Sequence, residues 1–184
     1  MVIKMNNASK TALGAMSVAL SVILLMPTAL ELFVYALPAL AGIITMFCVV
    51  ELNKKWAFAV FTASAIISLV LVPNKEAAVL YAAFFGYYPI LKALLENTKF
   101  KAVEYIFKFS VFNLSVFISY FLLINVFGMP FEELMGTDES KWFIYVFPIM
   151  FNLMFIVYDL YLTKMYTLYI RVWQKKFHKM FRFK

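Results

Sequence analysis

The sequence predicts an all-α, polytopic membrane protein: a compact bundle of six transmembrane helices with both termini in the cytoplasm. Three observations support this prediction. Of the 184 residues, 65% are hydrophobic and 15% are charged, whereas an ordinary soluble domain is about 45–50% apolar. Charged residues are spaced so that long intervals contain none of them. Finally, the basic residues concentrate in alternate connections between these intervals.

Five of these charge-free intervals reach the 17 to 25 or so apolar residues that a helix needs to cross a bilayer. The interval from Ala77 to Leu91 is shorter, but Lys92 can extend its ammonium to the headgroups and lengthen that span to Leu95. The predicted helices cover residues 8–28, 32–50, 56–72, 76–95, 103–127 and 142–165. No long linker interrupts them, so residues 1–184 are predicted to form a single domain.

The distribution of lysine and arginine predicts the orientation, because short cytoplasmic loops are enriched in both. The N-terminal segment, the second and fourth loops and the C-terminal segment contain 15 of the 17 basic residues. The other loops contain only Lys75 and Lys141, together with most of the acidic residues. The sequence therefore predicts a multi-pass protein of the cell membrane. The net charge of +7 follows from this topology and does not indicate a nucleic-acid partner.

The C-terminal segment, residues 171–184, is predicted to be a basic amphipathic helix on the cytoplasmic side. Its basic residues fall on one helical face and its aromatic residues on the other, which is typical of a helix lying in an anionic headgroup layer. An ordinary charged end to the last helix is the alternative.

One aspartate lies inside an otherwise apolar stretch, and an ionisable residue at membrane depth needs a partner. Asp159 follows Trp142 by 17 residues, which places it near the cytoplasmic end of the sixth predicted helix. Lys108 lies at a similar depth on the fifth helix. We predict an intramembrane ion pair between Asp159 and Lys108 that fastens these helices, with Lys92 as the second choice of partner. A proton-linked role for Asp159 is the alternative.

A ligand site is predicted in the outer half of the bundle. The fourth predicted helix contains the run YAAFFGYY, residues 81–88, whose rings would suit a planar or largely apolar ligand. Asn113 and Asn152 place amides at membrane depth that face either a ligand or each other. The candidate ligand-binding residues are Tyr81, Phe85, Tyr88, Asn113, Tyr120, Trp142, Tyr145 and Asn152. Aromatic filling of the membrane interface is the alternative.

The inventory of reactive groups argues against an enzyme. The single histidine, His178, lies in the C-terminal segment, and the single cysteine, Cys48, lies in an apolar helix. No HExxH, GxSxG or Walker A motif occurs. The sequence therefore predicts no catalytic residue, no metal site and no cofactor.

Small residues form two stripes on the first predicted helix, where close helix contacts in lipid would require them. Ala8, Ala12, Ala15 and Ala19 make one stripe. Gly14, Ser17 and Ser21 make the other. Two faces of this helix are therefore predicted to accept neighbouring helices.

A short six-helix chain with AxxxA-type spacing in its first helix, and with Pro38 and Gly42 in its second, resembles the substrate-binding S components of energy-coupling factor (ECF) importers. The resemblance implies that the four alanines dock a membrane coupling subunit, which works with two cytoplasmic ATPases. It also implies a small-molecule ligand enclosed by the outer loops and the last three helices. The rod-shape-determining proteins of the bacterial cell envelope have a similar architecture, so a structural or scaffolding role is the alternative.

Overall fold

The computed structural model describes residues 6–31, 33–96, 100–129, 142–174 and 176–177. Across these residues the chain is helical and contains no strand, which confirms the all-α prediction. The helices are α1 (Asn7–Leu25), α2 (Ala36–Glu51), α3 (Lys54–Leu71), α4 (Lys75–Leu80), α5 (Tyr88–Leu95), α6 (Lys101–Asn125) and α7 (Trp142–Leu168). A 3-10 turn, Met26–Leu30, follows α1. Two π-helical turns, Tyr81–Phe85 and Tyr169–Trp173, continue α4 and α7.

Five helical segments are long and apolar enough to cross a membrane. They are Asn7–Leu30, Lys54–Leu71, Lys75–Leu95, Lys101–Asn125 and Val146–Trp173. The third of them joins α4, its π turn and α5 into one segment. The helix α2 is also apolar but has only 16 residues. These are the helices of a membrane protein.

Asparagine side chains define where three of the helices begin. Asn6 accepts hydrogen bonds from the backbone of α1, and Asn74 accepts one from the backbone of α4. Asn53 does the same for α3 and has a φ of 114° and a ψ of 170°, a strained conformation that residues other than glycine rarely adopt. Asparagine at this position satisfies amides that the first helical turn leaves unpaired. It therefore allows the abrupt reversal between α2 and α3.

The bundle has two ends, which long-range hydrogen bonds identify. At one end the Lys54 ammonium donates to the Ala93 carbonyl at 2.9 Å, and the Tyr169 hydroxyl donates to Glu51 at 2.9 Å. We call this the basic end; α1, α3 and α6 begin there, and α2 and α5 end there. At the opposite end the Tyr35 hydroxyl donates to Glu76 at 2.7 Å.

The two small-residue stripes of α1 have different environments. Gly14, Ser17 and Ser21 are buried, where α1 packs against α2 and α3. The hydroxyls of both serines donate to backbone carbonyls one turn earlier, so no polar group is left unpaired on this face. Ala8, Ala12, Ala15 and Ala19 are all exposed. One stripe therefore packs inside the bundle, and the other stays available to lipid or to another protein.

Gly42 allows α2 to approach two neighbouring segments closely. A Cβ atom at this position would overlap the Tyr158 hydroxyl of α7 and would lie 2.5 Å from the Phe85 carbonyl oxygen. Both distances are shorter than carbon and oxygen atoms tolerate without bonding. The absent side chain of Gly42 therefore sets the spacing between α2, the π turn after α4, and α7.

Candidate functional site

Six charged side chains form a network that joins α5, α6 and α7 near the basic end. Its members are Lys92, Glu96, Lys101, Glu104, Lys108 and Asp159. Asp159 Oδ1 lies 2.5 Å from Lys92 Nζ and accepts a hydrogen bond from the Tyr88 hydroxyl at 2.6 Å. Lys108 Nζ lies 3.3 Å from Asp159 Oδ2.

Lys108 is the centre of this network. Its ammonium also lies 2.8 Å from Glu104 and 3.6 Å from Glu96, so it contacts three carboxylates while being only 2% exposed. Each of these two glutamates also contacts a second lysine at 2.9 Å: Glu104 contacts Lys101, and Glu96 contacts Lys92. Three positive charges therefore face three negative ones. Such pairing is what keeps buried ions tolerable, because an unpaired ion would lose its hydration without compensation.

The structure brings together Asp159 and Lys108, the two residues of the predicted ion pair, but the shorter contact of Asp159 is with Lys92. Sequence reasoning ranked Lys92 second because only depth along the helices was available to it. It also missed Glu96 and Glu104. The spacing of four residues from Lys92 to Glu96 and from Glu104 to Lys108 was the signal that would have found them.

An apolar cavity of about 330 Å³ lies between α2, the π turn after α4, α6 and α7. Aromatic rings make up much of its wall, and no charged side chain of the described residues lines it. Typical lining residues are Tyr35, Phe84, Phe85, Phe112, Phe151 and Tyr158. Its volume falls at the lower end of the range of about 300 to 1,000 Å³ for small-molecule sites. The cavity can therefore hold a small, uncharged, largely apolar molecule.

The end of the cavity away from the basic end is bounded by Tyr35 and Phe151. Their rings meet edge to face with centroids 6.4 Å apart. Partial burial, together with the hydrogen bond to Glu76, raises the pKa of Tyr35, so its hydroxyl remains a donor to the Glu76 carboxylate. Tyr120 lies on α6 near these two groups, half-buried. The Glu76 carboxylate and the phenols of Tyr35 and Tyr120 therefore lie at this end. Of these three side chains, only that of Tyr35 lines the cavity.

Packed aromatic rings close the cavity toward the basic end. Phe112 stacks on Phe155 with centroids 4.7 Å apart and an interplanar angle of 15°. Tyr88 is fully buried and packs against Phe84 at 4.8 Å and Phe155 at 5.4 Å. Because the Tyr88 hydroxyl also donates to Asp159, this one residue connects the floor of the cavity to the charge network.

Of the six predicted ligand-binding residues whose side chains the structure describes, Phe85 is the one that lines this cavity. Tyr81 is fully buried instead, with its hydroxyl 2.7 Å from Ser64 Oγ of α3. Tyr88 lies below the cavity as the Asp159 donor. The side chains of Trp142 and Tyr145 fall outside the described part of the chain. Sequence periodicity placed Tyr81 beside Phe85, whereas the π turn changes the direction of successive side chains relative to a regular α-helix.

Asn113 and Asn152, the two predicted amide ligands, bond to each other. The Asn113 amide donates to Asn152 Oδ1 at 3.1 Å, and the Asn152 amide donates back at 3.2 Å. Each amide also donates to a carbonyl four residues earlier, that of Phe109 or Pro148, at 2.8 Å. All four amide hydrogens of the pair are thereby used, so the pair joins α6 to α7 and does not line the cavity.

Replacing Asn113 and Asn152 with leucine, singly and together, is expected to show a coupling free energy of about 0.6 to 1.7 kcal/mol, the range found for interhelical hydrogen bonds in membranes. The reason is that each single variant leaves one unpaired amide between α6 and α7. The measurement is a double-mutant cycle on the free energy of unfolding in mixed micelles. Additive single effects would show that the reciprocal bonds contribute nothing.

Within the described ranges, no group of histidine, cysteine, aspartate and glutamate is arranged to hold a metal ion. Cys48 is a buried free thiol. The buried charged groups of the described residues are paired, and the cavity offers rings and methyl groups. Together these features define a helical membrane protein with a neutral apolar cavity. The charge network, in which positive and negative charges balance, lies between this cavity and the basic end. Comparison with protein-family models, with curated proteins and with solved structures finds no match for this chain.

Proposed function

We propose that this protein is a membrane-embedded subunit that binds a small molecule for an importer of the ECF type. In this proposal the chain crosses the membrane six times, with both termini in the cytoplasm and the basic end on the same side. The observation that carries the proposal is the cavity of about 330 Å³ between α2, α6 and α7. A bundle that served only to hold helices together would be expected to fill this volume with side chains.

The lining of the cavity limits the class of ligand. Within the described ranges no charged residue lines it, and an unpaired ion would lose several kcal/mol of hydration on entering. The rings of Phe84, Phe85 and Phe151 provide edges and faces for stacking. The proposed ligand is therefore neutral and largely aromatic or apolar, and it enters near Tyr35, at the end away from the charge network.

The exposed alanine stripe of α1 supplies the proposed contact with a coupling subunit. Ala8, Ala12, Ala15 and Ala19 have no large side chain that would hold a second helix away, and small residues are what close helix contacts in lipid require. Two cytoplasmic ATPases would complete the importer. The bulky exposed neighbours Met16 and Leu20 would border the same contact.

Filling the cavity tests the proposal. Ala39 lines the cavity and is half-buried, so Ala39→Phe is expected to reduce the amount of co-purifying small molecule at least tenfold by occupying its space. The measurement is mass spectrometry of small molecules extracted from the purified protein. Ala59→Phe is the matched control, because Ala59 is exposed on α3 and the same substitution there leaves the cavity open.

Two outcomes would contradict the proposal. The first is wild-type protein from a producing strain that carries no small molecule above the level of an unrelated membrane protein. The second is retention of equal amounts of the same molecule by Ala39→Phe and Ala59→Phe. The first result would show that the protein binds no such ligand. The second would show that the ligand does not bind in this cavity.

A scaffolding role in the bacterial cell envelope is the second candidate, and the fastening between α5, α6 and α7 favours it. The charge network and the Asn113–Asn152 pair hold these helices in one arrangement, which suits a protein that positions partners. Depletion of a scaffold would change cell shape or the location of a partner while leaving solute uptake intact. Depletion of an importer subunit would have the reverse effect.

A further inference from the structure

A second apolar concavity lies on the outside of the bundle, in the half nearest the basic end. It is a groove of about 540 Å³ between α1, α2 and the helical segment that continues α7. Leu13, Ser17 and Met46 form its floor and are buried, whereas Met16 and Trp173 form its walls and are more than half exposed. The groove shares no lining residue with the cavity of the proposed function.

The position of the groove along the helices places it in the hydrocarbon of one leaflet. Leu13 lies in the second turn of α1, and Met46 precedes the end of α2 at Glu51 by five residues. Both therefore lie about 8 to 10 Å from the basic end, at a rise of 1.5 Å per residue. At this depth an acyl chain is the natural occupant of an apolar groove. Trp173 lies closer to the headgroups, where tryptophan is enriched.

Basic side chains border the groove where headgroups would lie. Lys10 precedes Leu13 by one helical turn, and Lys176 follows Trp173 by three residues and directly precedes Phe177, which also lines the groove. Neither lysine forms a salt bridge with another described residue. The nearby carboxylate, Glu51, is buried and accepts hydrogen bonds from Tyr169 and Gln174. The border of the groove therefore presents positive charge to the headgroup layer.

We propose that this groove binds one anionic phospholipid from the leaflet at the basic end. One acyl chain lies against Leu13 and Met46, and the phosphate lies between Lys10 and Lys176. The apolar floor supplies affinity for the chain, and the two cations supply the preference for an anionic headgroup. Each basic residue near a membrane surface contributes roughly a fivefold preference for anionic lipid. This inference is independent of the ligand in the other cavity.

Tryptophan quenching by brominated lipids tests this site, because Trp173 forms one wall of it. The reporter protein is the full chain with Trp56→Phe and Trp142→Phe, in phosphatidylcholine vesicles that contain either brominated phosphatidylglycerol or brominated phosphatidylcholine. We expect phosphatidylglycerol to quench Trp173 with a relative binding constant at least fivefold above that of phosphatidylcholine. In Lys10→Gln/Lys176→Gln this ratio is expected to fall below two.

Lys55→Gln is the matched control, because Lys55 is exposed at the start of α3, a helix that contributes no residue to the groove. It is expected to keep the wild-type ratio. Equal quenching by the two lipids would overturn the proposal, and so would an equal loss of preference in the control and in the double variant, which indicates general surface attraction. Absence of quenching by both lipids would show that a second copy or another protein covers the groove. Lys176→Gln provides an additional variant should the double variant fail to fold.

Discussion

Replacing Lys108 with methionine is expected to destabilise the protein by about 3–5 kcal/mol, the usual cost of breaking a buried ion pair by removing one partner. Methionine has a similar length, so packing is largely kept and the lost charge dominates the effect. The ammonium of Lys108 is within 3.6 Å of three carboxylates. Of these, Glu104 and Asp159 are buried and cannot recover water. The measurement is the free energy of unfolding in mixed micelles.

Lys101→Met is the matched control for this variant. Lys101 contacts Glu104 at 2.9 Å, but its side chain is 71% exposed, so water replaces the lost interaction and only a small change is expected. In Lys108→Met/Glu104→Gln, part of the lost stability is expected to return, because the double variant removes one of the uncompensated negative charges. Equal effects of Lys108→Met and Lys101→Met would show that the network does not stabilise the bundle.

Gly42→Ala is expected to destabilise the protein by about 3 kcal/mol, at the upper end of typical overpacking effects in cores. The added methyl group would overlap the Tyr158 hydroxyl and lie 2.5 Å from the Phe85 carbonyl oxygen. The carbonyl belongs to the backbone of the π turn, so relief requires movement of a whole helix segment. The shift of the thermal unfolding midpoint in detergent provides the measurement.

Two further variants separate this clash from the general effect of replacing glycine. Gly14→Ala meets only the Val60 Cγ2 atom at 3.2 Å, so it is expected to change stability much less. Tyr158→Phe removes a buried hydroxyl that has no hydrogen-bond partner among the described residues. Combined with Gly42→Ala, it is expected to restore only part of the stability, since the contact with Phe85 remains. Full restoration would show that the hydroxyl alone set the spacing.

The two ends of the cavity have different consequences for the proposed function. Tyr88 and the charge network close the cavity from below through a hydrogen bond and several ion pairs. At the other end Tyr35 and Phe151 meet only edge to face, and Tyr35 is bonded to a side chain near the surface. Exchange of the proposed ligand would therefore require less rearrangement beside Tyr35 than beside Tyr88.

Much of the helical pattern could be predicted from the sequence, because charge spacing is a property of the chain itself. The ends of the described helices lie within a few residues of the predicted ends. The fourth predicted helix also has the expected ends, but its interior contains the π turn Tyr81–Phe85. No apolar or polar periodicity distinguishes a π turn from an α turn over five residues. The prediction of one aromatic face from Tyr81 to Tyr88 therefore did not anticipate that these rings point to different neighbours.

The amino-acid sequence by itself determined that the chain is helical and apolar, and that Asp159 would need a cation. The reason is that the hydrophobicity of a side chain, and the free energy needed to bury an unpaired charge, depend on the residue itself and not on its distant neighbours. Only the tertiary structure decided which lysine lies closest to Asp159, that Asn113 and Asn152 bond to each other, and where space remains between helices. Those outcomes depend on the rotation and crossing of helices far apart in the chain, which a contact such as that at Gly42 sets through steric exclusion.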